Sequence, residues 1–591
     1  MRQFLLIIFL LIGTTIAEGR TTLVVHDQPS FDLLPQKITE TIRIGEMYID
    51  ICFLPGKYFF KNKHLSFIGI QHADLTIRIK GNKAILIPEG KNYSNGDDKK
   101  GALSIYHGWM NEKNDISIWS PIIQADNLVE IVDLDNKLCR LKSSLSLKDS
   151  EEGTQSILLT QWYKSSTYSV KKIKNNYIYF NAPDLSYSAY KKTEYSINDD
   201  FNYFSKYPRY KLCNVDESAN AQSIVVNNGK IVLPQGISEV HECNVSTFLY
   251  VENCSISSFK MDGFEFWGSS YGYPEAFITF KKTQAPNIEI SNCSFYGMHN
   301  NVVSILNSDN VTVTNNYFKD LYHSGIQSDN GSANTRVINN SFEDAGLGLS
   351  NTFCIFCSGK NYYIYGNKLT DYGYGGIRVG LWYLNKQYGK SNGVVENNTL
   401  LFSEDYMNAI YKNGLMDGGA IYISTINDKA IIRHNYIDGY RGAGGNRGIF
   451  CDDGAMGCEI YGNVILNIGK NDYCIASRRE PAVEKKNDPR SSVLKSNVNN
   501  VIRDNLIDGK ILFKGHESIN NGCVKGANYV VLADGADAPV NQIENIPSLE
   551  DDIIINNAVG SDKLIRVPRD NFRIMRKSKE WRFLQNYVKR R

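Results

Sequence analysis

Net charge is the first thing missing. Against 65 lysines and arginines stand 63 aspartates and glutamates, a formal balance of +2 over 591 residues. That excludes a nucleic-acid binder held by bulk positive charge. Long apolar runs are missing too. Residues 4–12 are continuously apolar, too short a run to span a bilayer, and no other segment approaches 18. A phosphate-binding Gly loop, an H-E-x-x-H motif and a Ser nucleophile elbow are all lacking, which leaves nucleotide chemistry without a footing. Gly442-Ala443-Gly444-Gly445 is Gly-rich but reads as a turn that opens no helix. The second half of the chain lacks a sustained 3.6-residue apolar period, so an α-solenoid is excluded. Disorder is excluded as well, since 42% of residues are hydrophobic and 22% charged.

What is present begins with an address. Met1-Arg2, the apolar run and Thr15-Ile16-Ala17 fit the basic start, apolar middle and small-x-small site of a secretory signal peptide over residues 1–17. The expectation is an exported protein, secreted or periplasmic, with no membrane span; no Cys follows the site to carry a lipid anchor. Twelve Cys in an exported chain could form disulfides, although a chain this large does not need them. Cys354-Ile355-Phe356-Cys357 has no second pair and no His at zinc spacing, so buried core thiols are the preferred reading.

Asparagine is abundant: 60 in all, 32 of them between positions 287 and 505. The enrichment follows a repeat. Asn-x-apolar recurs at Asn316, Asn340, Asn367, Asn398, Asn435, Asn463 and Asn505, with gaps of 24 to 42 residues. Each instance follows a short alternating strand and precedes a turn and a Gly-apolar strand. Short strands at this period predict a solenoid whose coils bury their inner faces by stacking. The repeated Asn suits a turn where its side chain bonds a neighbouring coil and αL geometry is tolerated. Asn-x-Ser/Thr triplets such as Asn310-Val311-Thr312 and Asn397-Asn398-Thr399 are read the same way, in preference to glycosylation sites.

The motifs Asp417-Gly418-Gly419-Ala420-Ile421-Tyr422, His434-Asn435-Tyr436-Ile437, Gly448-Ile449-Phe450-Cys451-Asp452-Asp453-Gly454 and Ile460-Tyr461-Gly462-Asn463-Val464 resemble the right-handed parallel β-helix proteins of the pectin-lyase-like superfamily. They are most similar to exported bacterial members that act on polysaccharides, glycoside hydrolases among them. The resemblance covers about half the chain and implies an all-β fold, a right-handed parallel β-helix; an inserted antiparallel β subdomain is read from residues 101–240, which break the period and carry Ile157–Trp162 and Tyr177–Phe180 as candidate antiparallel strands. On that reading residues 18–100 form an N-terminal cap and first coils. Residues 101–240 form the inserted subdomain, residues 241–530 the parallel β-helix, and residues 531–591 a closing segment. The nine Arg and Lys of residues 569–591 read as a solvated end.

Strand alternation puts side chains on faces. With Ile326, Ile377, Ile421, Ile449 and Ile475 inward, the outward column one position later is Gln327, Arg378, Tyr422, Phe450 and Ala476. The outward column three positions later is Asp329, Gly380, Ser424, Asp452 and Arg478. Asp452-Asp453 is the sharpest feature, because two nearby carboxylates are the equipment of glycoside hydrolysis. Asp-Asp-Gly is equally a turn. Asp417 lies on the preceding coil, after a long loop holding Glu404, Asp405 and Lys412, and such loops tend to carry function. Asp452, Asp453 and Asp417 are therefore the candidate catalytic residues. Arg378, Tyr422, Arg447, Arg478, Asp329 and His323 are the candidate substrate-binding residues: arginines for an acidic sugar or to balance the aspartates, exposed aromatics, with Phe450, Trp382 and Tyr383, for sugar rings. Asp329 lies about four coils from Asp452, too far to be its partner. His299 and His323 are expected to stack on adjacent coils.

Three functions compete. An exported glycoside hydrolase with paired Asp carboxylates leads. A polysaccharide lyase would use Lys412, Arg447 or Arg478 as base beside Ca²⁺ or Arg, but no Glu-x-Glu calcium pair accompanies a Lys on the next coil. A non-catalytic carbohydrate-binding solenoid would keep the aromatics and reduce the carboxylates to turns. The hydrolase needs no cofactor and no metal. Its partner is a polysaccharide or oligosaccharide, with no nucleic acid, and a monomer is expected.

Overall fold

The computed structural model describes residues 14–17, 20–182 and 223–380 with short gaps, 209–214, 391–403 and, beyond them, strand segments up to residue 566. Each coil visits three sheets. Val303–Leu306 lies in sheet I, Val311–Thr314 in sheet II and Tyr317–Leu321 in sheet III, and Ile326–Ser328 returns to sheet I beside Val303–Leu306. Among the described residues the three sheets hold 11, 14 and 13 strands. All their pairings are parallel except that of Thr14–Ala17 with Arg20–Val25. In sheet I the inward isoleucines stay in register coil after coil: Ile326, Ile355, Ile377, Ile421, Ile449, Ile475. All are fully buried in one continuous core, as the alternation predicts.

Two side-chain stacks hold the coils in step. Inside sheet III the rings of Phe266, Phe295, Phe318 and Phe342 lie nearly parallel, with centroids 5.0, 5.0 and 4.5 Å apart. Each buried ring contributes roughly 1.5–3 kcal/mol. At the turn from sheet II to sheet III the repeated asparagines form a buried ladder. The backbone N–H of Asn316 donates to Asn340 Oδ1 (3.0 Å), that of Asn340 to Asn367 Oδ1 (2.9 Å), and so on through Asn398, Asn435 and Asn463 to Asn505. The amide nitrogen of each reaches back to a carbonyl on the previous coil, as Asn340 Nδ2 does to Val313 (2.9 Å). The sequence reading gave one Asn two jobs, and the chain divides them. The ladder residue makes the bonds, while its predecessor takes positive φ: Asn315 (55°), Asn339 (55°), Asn397 (57°), His434 (56°), with glycine at 366 and 462. Asn and Gly tolerate that region best.

Two short helices at the start escape the strand reading of this region. Gln28–Asp32 is opened by a capping box in which Asp27 accepts from the backbone of Ser30 (2.8 Å) and Ser30 Oγ accepts in return. Leu34–Arg43 follows, and its Leu34, Ile38 and Thr41 are buried on one face. Phe31, Leu34 and Ile38 join the main core, so these helices close the first coil against water, as a solenoid end requires.

Between the coils, strands from Ile123–Gln124 to Arg209–Cys213 build antiparallel sheets around a separate core. Ser156–Gln161 pairs antiparallel with Lys164–Lys174, and Tyr177–Asn181 with the same strand. This excursion leaves and rejoins the solenoid on one antiparallel pair, Gly90–Ser94 with Glu239–Cys243. A buried network ties the junction. Glu242 accepts from Lys99 Nζ (2.9 Å) and Tyr93 Oη (3.3 Å) and faces His107 Nδ1 at 3.2 Å. Ten of the eleven described cysteines are buried, and Cys354 and Cys357 lie in the main core. Burial pushes the Cys357 thiol up to about 12, which suits an inert core thiol.

Candidate functional site

On sheet I two successive residues face the core: Cys354 and Ile355, Ala420 and Ile421, Cys474 and Ile475 are all buried in the main cluster. Phe353, Tyr422, Phe450 and Ala476, joined by Tyr374, form a second apolar cluster of their own, with Tyr473 packed against it. Phe353 lies 5.6 Å edge-on from both Tyr374 and Tyr422, and Tyr422 lies 5.2 Å from Phe450 at 80°. Glycine at 375 makes room, because a Cβ there would come within 2.3 Å of the Phe353 ring.

Polar groups converge over these rings. Asp452 follows the inward Cys451 at the end of strand Arg447–Cys451. It is 3% exposed, and its Oδ2 accepts a hydrogen bond from Tyr422 Oη, itself on a 1% exposed residue. The Asp452 backbone anchors the turn: its N–H donates to the Ile423 carbonyl (2.9 Å) and its carbonyl accepts from Ala455 (3.0 Å). Arg378, two strands away from Asp452, donates from Nε to Ser424 Oγ (2.9 Å). Its guanidinium sits 4.5 Å from the Phe356 ring and 5.8 Å from that of Tyr422. Burial pulls the Arg378 guanidinium below its ordinary value, and Tyr422, Tyr374 and Asp452 push the other way. Arg447, 6% exposed, lies over Phe450 with its guanidinium carbon 4.0 Å from the ring centre.

The predicted site residues therefore divide. Asp452, Tyr422, Arg378 and Arg447 share one outward face. Asp453 and Asp417 lie outside the described residues, as do Glu404, Asp405, Lys412, Trp382 and Tyr383. The backbone of Arg478 ends strand Tyr473–Arg478, and its side chain is outside the description. The exposure expected of Tyr422 and Phe450 is not met: both point outward but are buried in the second cluster, so they form the floor of the site. Asp329 is a turn cap, because its Oδ1 accepts from the backbone of Asn307 (2.9 Å) and Gly331 (3.2 Å) and from Ser332 Oγ (2.7 Å). Those bonds account for its carboxylate without a sugar. His323 does not stack on His299. His299 lies parallel to Tyr322 at 4.9 Å, while His323 holds Asn301 Oδ1 at 2.6 Å and faces Tyr271. Phe353 and Tyr374 escaped the sequence reading. Their signal was the Gly-Gly pair at 375–376, whose missing side chains leave a space to be filled.

The comparisons with known proteins follow the architecture. A family model described as right handed beta helix region matches residues 212–369 and 276–488. No curated protein matches the sequence. A solved structure titled "Glycoside hydrolase" is similar at 12% identity and a TM-score of 0.55, over 86% of this chain and 96% of that one. The catalytic domain of a GH87 alpha-1,3-glucanase in complex with nigerose is similar at 12% identity and a TM-score of 0.24, over 74% and 92%. The gp54 tailspike of Acinetobacter baumannii bacteriophage AP22, in complex with a capsular saccharide of that bacterium, is similar at 8% identity and a TM-score of 0.23, over 88% and 76%. Three parallel sheets, the Asn ladder, the family match and the similarity to the structure titled "Glycoside hydrolase" agree on one identification: the chain folds as a right-handed parallel β-helix.

Proposed function

We propose that this chain is an exported enzyme that hydrolyses a glycosidic bond of a polysaccharide, with Asp452 as one of its two working carboxylates. The observation that carries the reading is the hydrogen bond from Tyr422 to Asp452 on the outer face of sheet I. A carboxylate buried to this degree and held by a phenol, with Arg378 alongside, is poised for proton transfer or for stabilising positive charge on a sugar ring. Asp329, held in its turn by backbone N–H groups, has the pattern of a purely structural carboxylate. The second carboxylate is assigned to Asp453 or Asp417, and the separation of the pair sets an inverting or a retaining outcome. Arg378 and Arg447 would hold hydroxyl or acidic groups of the bound sugar. The fold shared with a structure titled "Glycoside hydrolase" is compatible with this, and the N-terminal segment of residues 1–17 is the ground for export.

The test is a panel of plant, algal and host glycans incubated with the purified protein, reading new reducing ends and ultraviolet absorbance together. Reducing ends without absorbance, abolished by Asp452→Asn, are expected. Reducing ends with absorbance would mean β-elimination and would replace this reading with a lyase.

A further inference from the structure

A second group of aromatic side chains lies nearer the N-terminal end of the solenoid, largely at turns that lead into sheet I. Tyr106 comes from the segment that leads into strand Gly108–Asn111, and Tyr271 and Tyr273 from the loop between Glu265–Ser269 and Ile278–Lys281. His323 comes from the turn before Ile326–Ser328. Tyr106 is 60% exposed and Tyr273 73% exposed. The rings follow one another, Tyr106 to Tyr271 at 6.4 Å and Tyr271 to His323 at 5.8 Å, each pair tilted by 34°. The phenols of Tyr106 and Tyr273 lie close enough to that of Tyr271 to disfavour its ionisation, after burial.

The patch is built rather than draped. The backbone N–H of Tyr271 donates to the Tyr106 carbonyl (2.8 Å). Asn300 Nδ2 ties down the tyrosine loop through the carbonyls of Ser246 (3.1 Å) and Glu275 (2.8 Å). A Cβ at Gly272 would meet Ser246 at 2.3 Å, so the loop lies flat on its neighbour. Asn301 Nδ2 donates to Gln327 Oε1 (3.3 Å), which aims Asn301 Oδ1 at His323 Nδ1 (2.6 Å). His323 therefore carries its proton on Nδ1 and offers Nε2 as an acceptor. Burial lowers the His323 imidazole to about 4, so it is neutral near pH 7. The loop's own carboxylate, Glu275, is paired with Lys63 at 2.7 Å.

We propose that Tyr106, Tyr271, Tyr273 and His323 form a carbohydrate-binding platform for a neutral stretch of polysaccharide, separate from the Asp452 site and aligned with it along the solenoid. Exposed phenol rings offer flat apolar surface to sugar C–H faces and hydroxyls to sugar hydroxyls. The imidazole and amides add fixed polar partners without charge. An anionic ligand would need an available positive charge, and the lysine beside the loop, Lys63, is paired with Glu275. Gln327, which borders the platform, stands in the same outward line as Arg378 and Tyr422. Four coils separate it from the strand of Asp452, about 19 Å at the spacing of neighbouring strands. A polymer lying along this line would reach both places at once, and two linked contacts bind far more tightly than either alone. This alignment rests on the hydrolase reading; the platform itself does not.

The experiment uses the full chain carrying Asp452→Asn, so that no substrate is consumed. Its retardation is measured in native gels cast with a soluble β-glucan, a galactomannan or an arabinoxylan. At least one polymer is expected to retard it. Tyr106→Ala and Tyr273→Ala, both at exposed positions that a fold can spare, are each expected to weaken that retardation at least tenfold. Phe59→Ala, which removes another exposed aromatic ring (43% exposed) elsewhere on the surface, should not change it. Absence of retardation by any of these polymers, or retardation unchanged by both tyrosine variants, overturns the platform. If the wild-type protein releases no reducing ends from a polymer that nevertheless retards it through these tyrosines, the hydrolase reading fails and the platform stands.

Discussion

Tyr422 and Asp452 sit on adjacent coils and in neighbouring outward columns, and the phenol of one donates to the carboxylate of the other. The tyrosine ring belongs to the apolar floor and only its hydroxyl reaches the polar layer. The hydroxyl is therefore placed by packing. Replacing Asp452 with Asn should lower kcat on a responsive glycan by roughly 10²–10⁴-fold, the usual weight of a general acid or base. Tyr422→Phe should cost about tenfold to a hundredfold, since one hydrogen bond to a charged group is lost. Circular dichroism should be unchanged in both. Full activity in Asp452→Asn would remove that residue from the chemistry.

The Asn ladder makes a stability prediction. The Asn398 side chain accepts from the backbone and the amide of Asn367 and donates to Ile364, Glu396 and Asn435. Asn398→Ala would strand at least two buried partners, at about 1–3 kcal/mol each. A loss of roughly 3 kcal/mol in urea unfolding is expected. A loss below about 1 kcal/mol would mean that the coils are held by apolar stacking alone.

His323 makes a pH prediction. Its imidazole falls from an ordinary 6.5 to about 4 in the folded chain. Between those values the unfolded state binds the extra proton, so stability is lost as pH falls through that window. The contribution is about 3 kcal/mol by linkage. Urea midpoints of the wild type and of His323→Asn should converge as pH drops from 6.5 to 4. Parallel curves would show that His323 titrates normally.

Glu242 makes a prediction about the inserted segment. Burial alone would raise its carboxyl, but the hydrogen bonds from His107 and Lys99 hold it below its ordinary value. Glu242→Ala would leave Lys99 buried beside Tyr93 and Trp109 without its counter-charge, at a cost of about 3 kcal/mol. Limited proteolysis should then cut first within residues 95–238, with the coils intact. Cleavage spread evenly along the chain would refute a local role.

Most of the fold was legible because it is written as periodicity. The inward isoleucines and the Asn repeat are fixed by strand alternation and by a turn that only Asn satisfies on both sides. The opening helices were not, although Asp27, Pro29 and Ser30 spell a capped start. Their ten-residue second member is too short for its period to stand out among strands. At the site, alternation placed Arg378, Tyr422 and Asp452 on one face, but it could not say that a second apolar layer covers part of that face. That depends on Phe353 and Tyr374, which come from other positions of the coil. Asp329 was misread because column membership says nothing about which backbone N–H groups close around a carboxylate.

Gly90 and Cys243 are direct partners in the antiparallel pair through which the inserted segment departs and returns. The two ends of the excursion thus stand one strand spacing apart, about 5 Å. For the solenoid the whole segment is equivalent to a hairpin tip. It could lengthen, shrink or be exchanged during evolution without altering the pitch of a single coil. Since that segment supplies Tyr106 while the coils supply Tyr271, Tyr273, His323 and Asp452, exchange of the segment alone would change one ring of the proposed platform and leave the proposed working carboxylate in place.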